Sequence, residues 1–193
     1  MANLVSILRM ILSTVVAGML FIHTPTMYWM AFGLTILVIW MDGLDGYLAR
    51  KLNETSKFGA VFDILCDRVV EMVYWITFLA LGWIPLWIPI LVVTRGVLVD
   101  GFRAIALEQG FTAFGDTSMM RSPLGTLLVS SRFSRFSYAV FKALAFSLLI
   151  LAYIPGLPFR LAPFAMTCIY ITVFFCLVRG VPVLIEAKRF FKD

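Results

Sequence analysis

The sequence predicts an all-α membrane protein, with six transmembrane helices and a functional site at the cytoplasmic edge of the bundle. Three observations predict it. Of 193 residues, 62% are hydrophobic and only 14% charged, against about 45–50% and about 25% in a soluble domain. Mean hydropathy is +0.97. Six stretches approach the ~20 apolar residues that an α-helix needs to cross a bilayer core, and two of them carry paired acids. This composition excludes an ordinary soluble enzyme, a disordered chain, a secreted disulfide scaffold and a coiled coil. The length suits one domain, residues 1–193.

The spans run near Val5–Phe21, Met27–Leu48, Phe58–Leu81, Leu86–Leu107, Tyr138–Ile154 and Leu161–Val178. Thr24-Pro25, Gly82-Trp83-Ile84-Pro85 and Pro155-Gly156-Leu157-Pro158 break them on one side. The first stretch has no basic leader and no clear small-residue cleavage site, so it reads as a retained span. Arg50, Lys51 and Lys57, then Arg121, Arg132 and Arg135, then Lys188, Arg189 and Lys192 fall on the other side, where the opposite loops carry little but Arg160. The positive-inside rule makes that side, and both termini, cytoplasmic. The longest loop, Gly110–Ser137, mixes arginines with apolar residues and suits a surface-lying amphipathic segment.

The formal charge of +5 fits loops facing anionic lipid. No run of basic residues supports nucleic-acid binding. Cys66, Cys168 and Cys176 lie in apolar stretches without zinc spacing and read as reduced core residues. His23 is the sole histidine, which excludes His-based nucleophilic chemistry. Chemistry must rest on carboxylates, arginines and lysines. The aromatic residues read as lipid contacts and interfacial anchors, with Trp83 and Trp87 in an outer aromatic belt.

Charge inside a span is costly and usually marks function. Span two ends with Asp42 and Asp45, three residues apart and so on one helical face, beside Gly46 and Ala49. In span three Gly59, Asp63 and Asp67 recur every fourth residue, with Glu71 one turn deeper. Four carboxylates on adjacent helices repel at low dielectric, so positive charge must compensate. Hard oxygen donors suit Mg²⁺ or Mn²⁺. Two such ions about 3.5–4 Å apart would clamp phosphate oxygens, with Arg50 a further phosphate ligand. The blander alternative is structural ion pairing with Arg68, Arg95 or Arg103, which poorly explains four acids at regular spacing.

Asp42, Asp45, Gly46, Ala49, Arg50, Gly59, Asp63 and Asp67 stand in the pattern D-x-x-D-G-x-x-A-R-x8-G-x3-D-x3-D. The chain thereby resembles the CDP-alcohol phosphotransferases. The resemblance implies transfer of a phosphatidyl group from CDP-diacylglycerol to a small alcohol, with release of CMP. It further implies two divalent cations, Mg²⁺ or Mn²⁺, bridged by Asp42 and Asp63 and completed by Asp45 and Asp67. Asp67 would also take the proton of the attacking hydroxyl. Gly46, Arg50 and Ser56 would hold the CDP portion, and Ala49 and Gly59 would keep its path open. A homodimer in the bacterial inner membrane, with the site cytoplasmic, is implied as well.

The opening Asn3–Arg9 and the stretch Arg95–Arg103 resemble the glycerol-phosphate-using bacterial phosphatidylglycerophosphate synthases. Asp67-Arg68-Val69-Val70-Glu71 looks more like the inositol-phosphate-using members. The expected acceptor is therefore glycerol 3-phosphate, with inositol phosphate the alternative. Arg95, Arg103, Arg132, Arg135 and Lys142 are the candidate cations for the acceptor phosphate, although Arg132 and Arg135 also suit plain loop charge and Asp100 is placed to pair with Arg103. Two other classes compete: a divalent-cation transporter, disfavoured by acids gathered at one membrane edge, and a catalytically silent assembly partner, disfavoured by the complete motif.

Overall fold

The computed structural model describes the backbone of residues 2–51, 57–111, 118–157 and 161–191. Within these, the side chains of residues 2, 43–51, 57, 58, 60, 132, 190 and 191 are outside the description. Every regular element among the described residues is helical. Six long helices occur: α1 (Ala2–Leu20), α2 (Pro25–Lys51), α3 (Lys57–Ala80), α4 (Trp87–Glu108), α6 (Arg132–Ala152) and α7 (Leu161–Ala187). A short turn α5 (Pro123–Gly125) runs into a π-helical segment, Thr126–Ser130, and a 3₁₀ turn, Lys188–Phe191, follows α7.

The long helices match the six apolar stretches in number and order. Three of them, Asn3–Leu20, Phe133–Ala152 and Leu161–Ala187, are long and apolar enough to cross a membrane by length and composition. Two of the others are interrupted by charge: α3 by Asp63, Asp67, Arg68 and Glu71, and α4 by Arg95, Asp100 and Arg103. Two boundaries differ from expectation. Helix α6 starts at Arg132, so the long loop ends earlier than Ser137, and α7 continues from Val178 to Ala187. Hydropathy marks what lipid can cover, whereas Arg, Lys and Glu are good helix formers that prolong a helix beyond that point.

The chain divides into two compact units: Met1–Pro85 with Ala143–Met166, and Leu86–Lys142 with Thr167–Asp193. In the first, α1 packs on α2 and α3, and its burial pattern is the reverse of a soluble helix. Ser6, Arg9, Ser13, Val16 and Leu20 recur at alternating three- and four-residue steps and are buried, while Leu4, Leu8, Ile11 and Val15 are exposed. Polar groups inside and leucines outside suit lipid, whose tails are as apolar as Leu.

The core of this unit is aromatic. Phe146 stacks on Tyr74 at 4.9 Å and meets Trp75 edge-on at 5.0 Å. Phe78 touches Phe146 and Trp83, and Trp83 lies flat on Tyr153 at 4.3 Å. Trp83 is therefore buried rather than part of an outer lipid belt, because three rings of its own unit enclose it. Tyr74 Oη donates to Thr35 Oγ1 at 3.1 Å, which ties α3 to α2. Thr35 in turn donates to the Ala31 carbonyl at 2.8 Å, so no hydroxyl of the pair is left wanting. The three cysteines are free and buried, as the sequence predicts.

In the second unit Met119, Met120 and Val129 pack against Val99, Ala106 and Val183. The segment that carries them is fastened by Glu186 near the end of α7. Its carboxylate accepts from the Arg121 amide at 2.7 Å, the Ser122 amide at 3.3 Å and Ser122 Oγ at 2.5 Å. Gly125 lies so close that an added Cβ would stand 2.5 Å from Glu186 Oε1.

Two substitutions test the aromatic core. Phe146→Ala should lower the stability of the detergent-solubilised protein by about 3–5 kcal/mol. Tyr74→Phe should cost about 1 kcal/mol. Thermal unfolding followed by aggregation or tryptophan emission reads both, and equal losses would contradict the role given to Phe146.

Candidate functional site

Three helices of the first unit bring charge to one place. Arg9, on the buried face of α1, is 5% exposed and reaches acids on both neighbours. Its Nη2 pairs with Asp42 Oδ1 in the second half of α2 and with Asp67 Oδ1 of α3 at 2.8 Å. Its Nη1 stands 4.0 Å from Asp63 Oδ1, which also accepts from Ser6 Oγ of α1 at 3.2 Å. The face that buries Ser6 and Arg9 is the one that meets α2 and α3, so the register of α1 fixes the arrangement. The three carboxylates keep 42–46% of their surface, enough for a solute to reach oxygens that Arg9 does not cover.

One guanidinium against three carboxylates leaves the set net negative. Asp45 adds a fourth acid to α2, but its side chain lies outside the described residues, as do those of Gly46, Ala49 and Arg50. Ser56 lies outside them altogether, whereas Gly59 sits in the first turn of α3, half-buried. No group of three or more metal-ligating side chains is preassembled among the described residues. The donor set nevertheless fits a hard divalent cation: all donors are carboxylate oxygens, they converge on one positive group, and their charge exceeds its own. Glu71, expected one turn deeper, does not join them. It is buried and pairs with Arg68 at 3.0 Å, a structural ion pair within α3.

Cations gather in the second unit. Arg179 of α7 is 8% exposed, donates to the Ser134 carbonyl at 3.5 Å and lies 5.1 Å from the centre of the Tyr138 ring. Lys142 Nζ lies 5.7 Å from the same ring. Arg95 of α4 and Arg135 of α6 are close enough to repel Arg179. Gly180 makes the approach possible, since a Cβ there would stand 2.8 Å from Arg95 Nε. Among the described residues no carboxylate pairs with Arg95 or Arg179, and the Nε atoms of both are buried without a hydrogen-bond partner. Like charges held together around a buried guanidinium favour an anion.

The five candidate acceptor cations thus separate. Arg95, Arg135 and Lys142 belong to this cluster. Arg103 faces Asp100 at 3.9 Å, as its spacing predicts, and is partly neutralised. Arg132 opens α6, with its side chain outside the described residues. Sequence reasoning missed Arg179, which the hydropathy profile leaves in the charged tail just past Val178. The signal that finds it is Gly180 beside it in a helix that does not stop. Arg9 entered only through a resemblance, yet it is the hub of the acids. Its placement three after Ser6 and four before Ser13, in an otherwise apolar helix, is the pattern that points inward.

A family model described as CDP-alcohol phosphatidyltransferase matches residues 1–178. The chain belongs to the CDP-alcohol phosphatidyltransferase family. Its relatives include the CDP-diacylglycerol–glycerol-3-phosphate 3-phosphatidyltransferases of Cereibacter sphaeroides, 34% identical over 52% of this chain and 48% of the relative, and of Bacillus subtilis, 29% identical over 76% of this chain and 67% of the relative. A putative cardiolipin synthase of Mycobacterium tuberculosis is 33% identical over 37% of this chain and 34% of the relative. The chain spans about half the length of the Cereibacter relative and two thirds of the Bacillus one.

Arg9 is buried and the acids it joins are half-exposed, so losing it leaves three neighbouring carboxylates uncompensated but within reach of water. Arg9→Ala should cost about 2 kcal/mol. Arg103→Ala, which breaks a 3.9 Å contact between near neighbours on a helix, should cost under about 1 kcal/mol. Comparable unfolding temperatures for the two variants would sink the hub assignment.

Proposed function

We propose that the protein is a membrane-embedded phosphatidyltransferase. It moves the phosphatidyl group of CDP-diacylglycerol to glycerol 3-phosphate, giving phosphatidylglycerol phosphate and CMP. The family supports the reaction type, and the names of the Cereibacter and Bacillus relatives support the acceptor. The single observation that carries the choice of a phosphorylated acceptor is the neighbouring Arg95 and Arg179, whose buried Nε atoms have no hydrogen-bond partner and which pair with no carboxylate among the described residues. Glycerol, inositol or serine would leave that charge unanswered, whereas a phosphate would satisfy it with charge-assisted hydrogen bonds.

In this reading the six long helices all span the membrane as one functional domain, with both termini and the site on the cytoplasmic side. The protein acts as a homodimer in a bacterial inner membrane. Asp42, Asp45, Asp63 and Asp67 hold two divalent cations, Mg²⁺ or Mn²⁺. When bound, these neutralise the diphosphate of CDP-diacylglycerol and make CMP a better leaving group. Gly46, Ala49, Arg50, Ser56 and Gly59 receive the CDP portion.

The residues of the chain do the rest. Arg95, Arg135, Lys142 and Arg179 hold the acceptor phosphate, which fixes the direction of its free hydroxyl. That hydroxyl oxygen attacks the phosphatidyl phosphorus. Its proton passes to a carboxylate oxygen of Asp67, the bond to the CMP phosphate breaks, and CMP leaves with that electron pair. Arg9 keeps Asp42, Asp63 and Asp67 in register throughout.

CMP release by the protein in Mg²⁺-containing vesicles tests the reaction, with glycerol 3-phosphate, inositol phosphate, glycerol, inositol and serine as acceptors. Glycerol 3-phosphate should be used and glycerol should not. Exclusive use of inositol phosphate would change the product while keeping the phosphate site, and use of serine alone would contradict it. Arg179→Gln should raise the KM for glycerol 3-phosphate about 10-fold or more, with the KM for CDP-diacylglycerol little changed.

A second test addresses the base. Asp67→Asn should lower turnover by at least ~10²-fold while most CDP-diacylglycerol binding persists. An Asp67→Asn protein with near-normal kcat would remove the base from the scheme.

A further inference from the structure

The segment between α4 and α6 and the turn after α7 each carry an arginine that the proposed reaction does not use, Arg121 and Arg189. A cavity of about 230 Å³ opens beside it, lined by Gln109, Phe111, Arg121 and Arg189. Its walls come from the end of α4, the loop that follows, and the turn after α7. The walls are held in place from below: Met119 and Met120 pack into the core of the second unit, and Glu186 clasps the Arg121 and Ser122 amides.

The charges in this cavity do not cancel. Glu186 is the acid nearby, and its oxygens already accept from two amides, from Ser122 Oγ and from Arg189 at 3.2 Å. Arg189 also donates to the Met119 carbonyl at 2.5 Å. One arginine is thus balanced by Glu186. Arg121 is exposed, and among the described residues its guanidinium has no partner. Among the described residues that line it, the pocket therefore presents the Arg121 guanidinium, an amide side chain and an aromatic edge.

The neighbouring residues fix the kind of anion. Just past Arg121, Leu124 and Leu127 sit three apart and are 69% and 62% exposed. A polar loop that turns two leucines outward beside an arginine has the make-up of a segment lying at a lipid headgroup boundary, leucines in the acyl layer and cation at phosphate level. We infer that the Gln109–Phe111–Arg121–Arg189 pocket binds the phosphodiester of an anionic phospholipid from the surrounding leaflet. A phosphodiester carries one negative charge, which the Arg121 guanidinium can meet. This site is separate in its residues from both the carboxylate set and the Arg95–Arg179 cluster, and it asks for a bound lipid rather than a reacting one.

The test uses the full chain in phosphatidylcholine nanodiscs and reads the unfolding temperature as phosphatidylglycerol is titrated in. Wild-type protein should gain stability as phosphatidylglycerol rises. Arg121→Gln should need about fivefold more of it for the same gain. Lys188→Gln, which removes an exposed charge that does not line the pocket, should behave as wild type. Basal CMP release in pure phosphatidylcholine should be the same for wild type and Arg121→Gln. Parallel samples receive inorganic phosphate or glycerophosphoglycerol in place of the lipid. The inference is overturned if Arg121→Gln and Lys188→Gln respond alike, since the effect is then general surface charge. It is equally overturned if either soluble phosphate reproduces the gain in phosphatidylcholine alone, since the occupant is then not a lipid.

Discussion

The arrangement of the first unit depends on one guanidinium. Three carboxylates on α2 and α3 cannot approach one another within a few ångströms in a low-dielectric setting unless positive charge stands among them. Arg9 supplies it from a third helix, and the cost of burying Arg9 is offset by the acids it meets. The same contact sets the rotation of α1: once Arg9 and Ser6 face the acids, Ser13, Val16 and Leu20 face inward and Leu4, Leu8, Ile11 and Val15 face outward. One electrostatic requirement thereby selects both the helix packing and the surface presented to the membrane.

The second unit solves the opposite problem. Arg95, Arg135 and Arg179 are brought near one another where a glycine, Gly180, removes the side chain that would keep Arg95 away. Helix α7 is otherwise strongly apolar, so a buried arginine in it is expensive unless an anion arrives. An acid set that attracts cations and an arginine set that attracts a phosphate are the two demands of phosphatidyl transfer to a phosphorylated alcohol. The structural ion pairs Arg68–Glu71 and Asp100–Arg103 show the contrast. Each joins an acid to a base a single turn away on the same helix.

Much of this was legible in the residues, and the failures have physical causes. The six apolar stretches mark the six long helices in number and order, and three of those helices are long and apolar enough to cross a bilayer. The four-residue spacing of Asp63 and Asp67 puts them on one face, and Arg9 confirms it by reaching both. Asp42 joins them from α2 through Arg9, whereas Asp45, Gly46, Ala49, Arg50 and Ser56 rest on the family pattern alone. Helix ends were not legible from hydropathy, since the residues that end an apolar run do not end a helix; Arg132, Arg135 and Arg179 moved from loop to helix for that reason. Trp83 was misplaced because a tryptophan beside a Gly-Pro turn looks interfacial in one dimension, while its partners Tyr28, Phe78 and Tyr153 come from distant parts of the chain. The Glu186 clasp joins positions more than sixty residues apart and has no local signature.

The central claim is that the carboxylates gathered by Arg9 form a site for divalent cations and a diphosphate. Mn²⁺ bound per chain, counted by electron paramagnetic resonance in lipid nanodiscs containing CDP-diacylglycerol, tests it most directly. The account predicts about two tightly held ions per chain, falling to one or none in Asp63→Asn with the fold intact. Wild-type protein that holds no Mn²⁺ beyond what the lipid alone binds, or Asp63→Asn that holds as much as wild type, would contradict it.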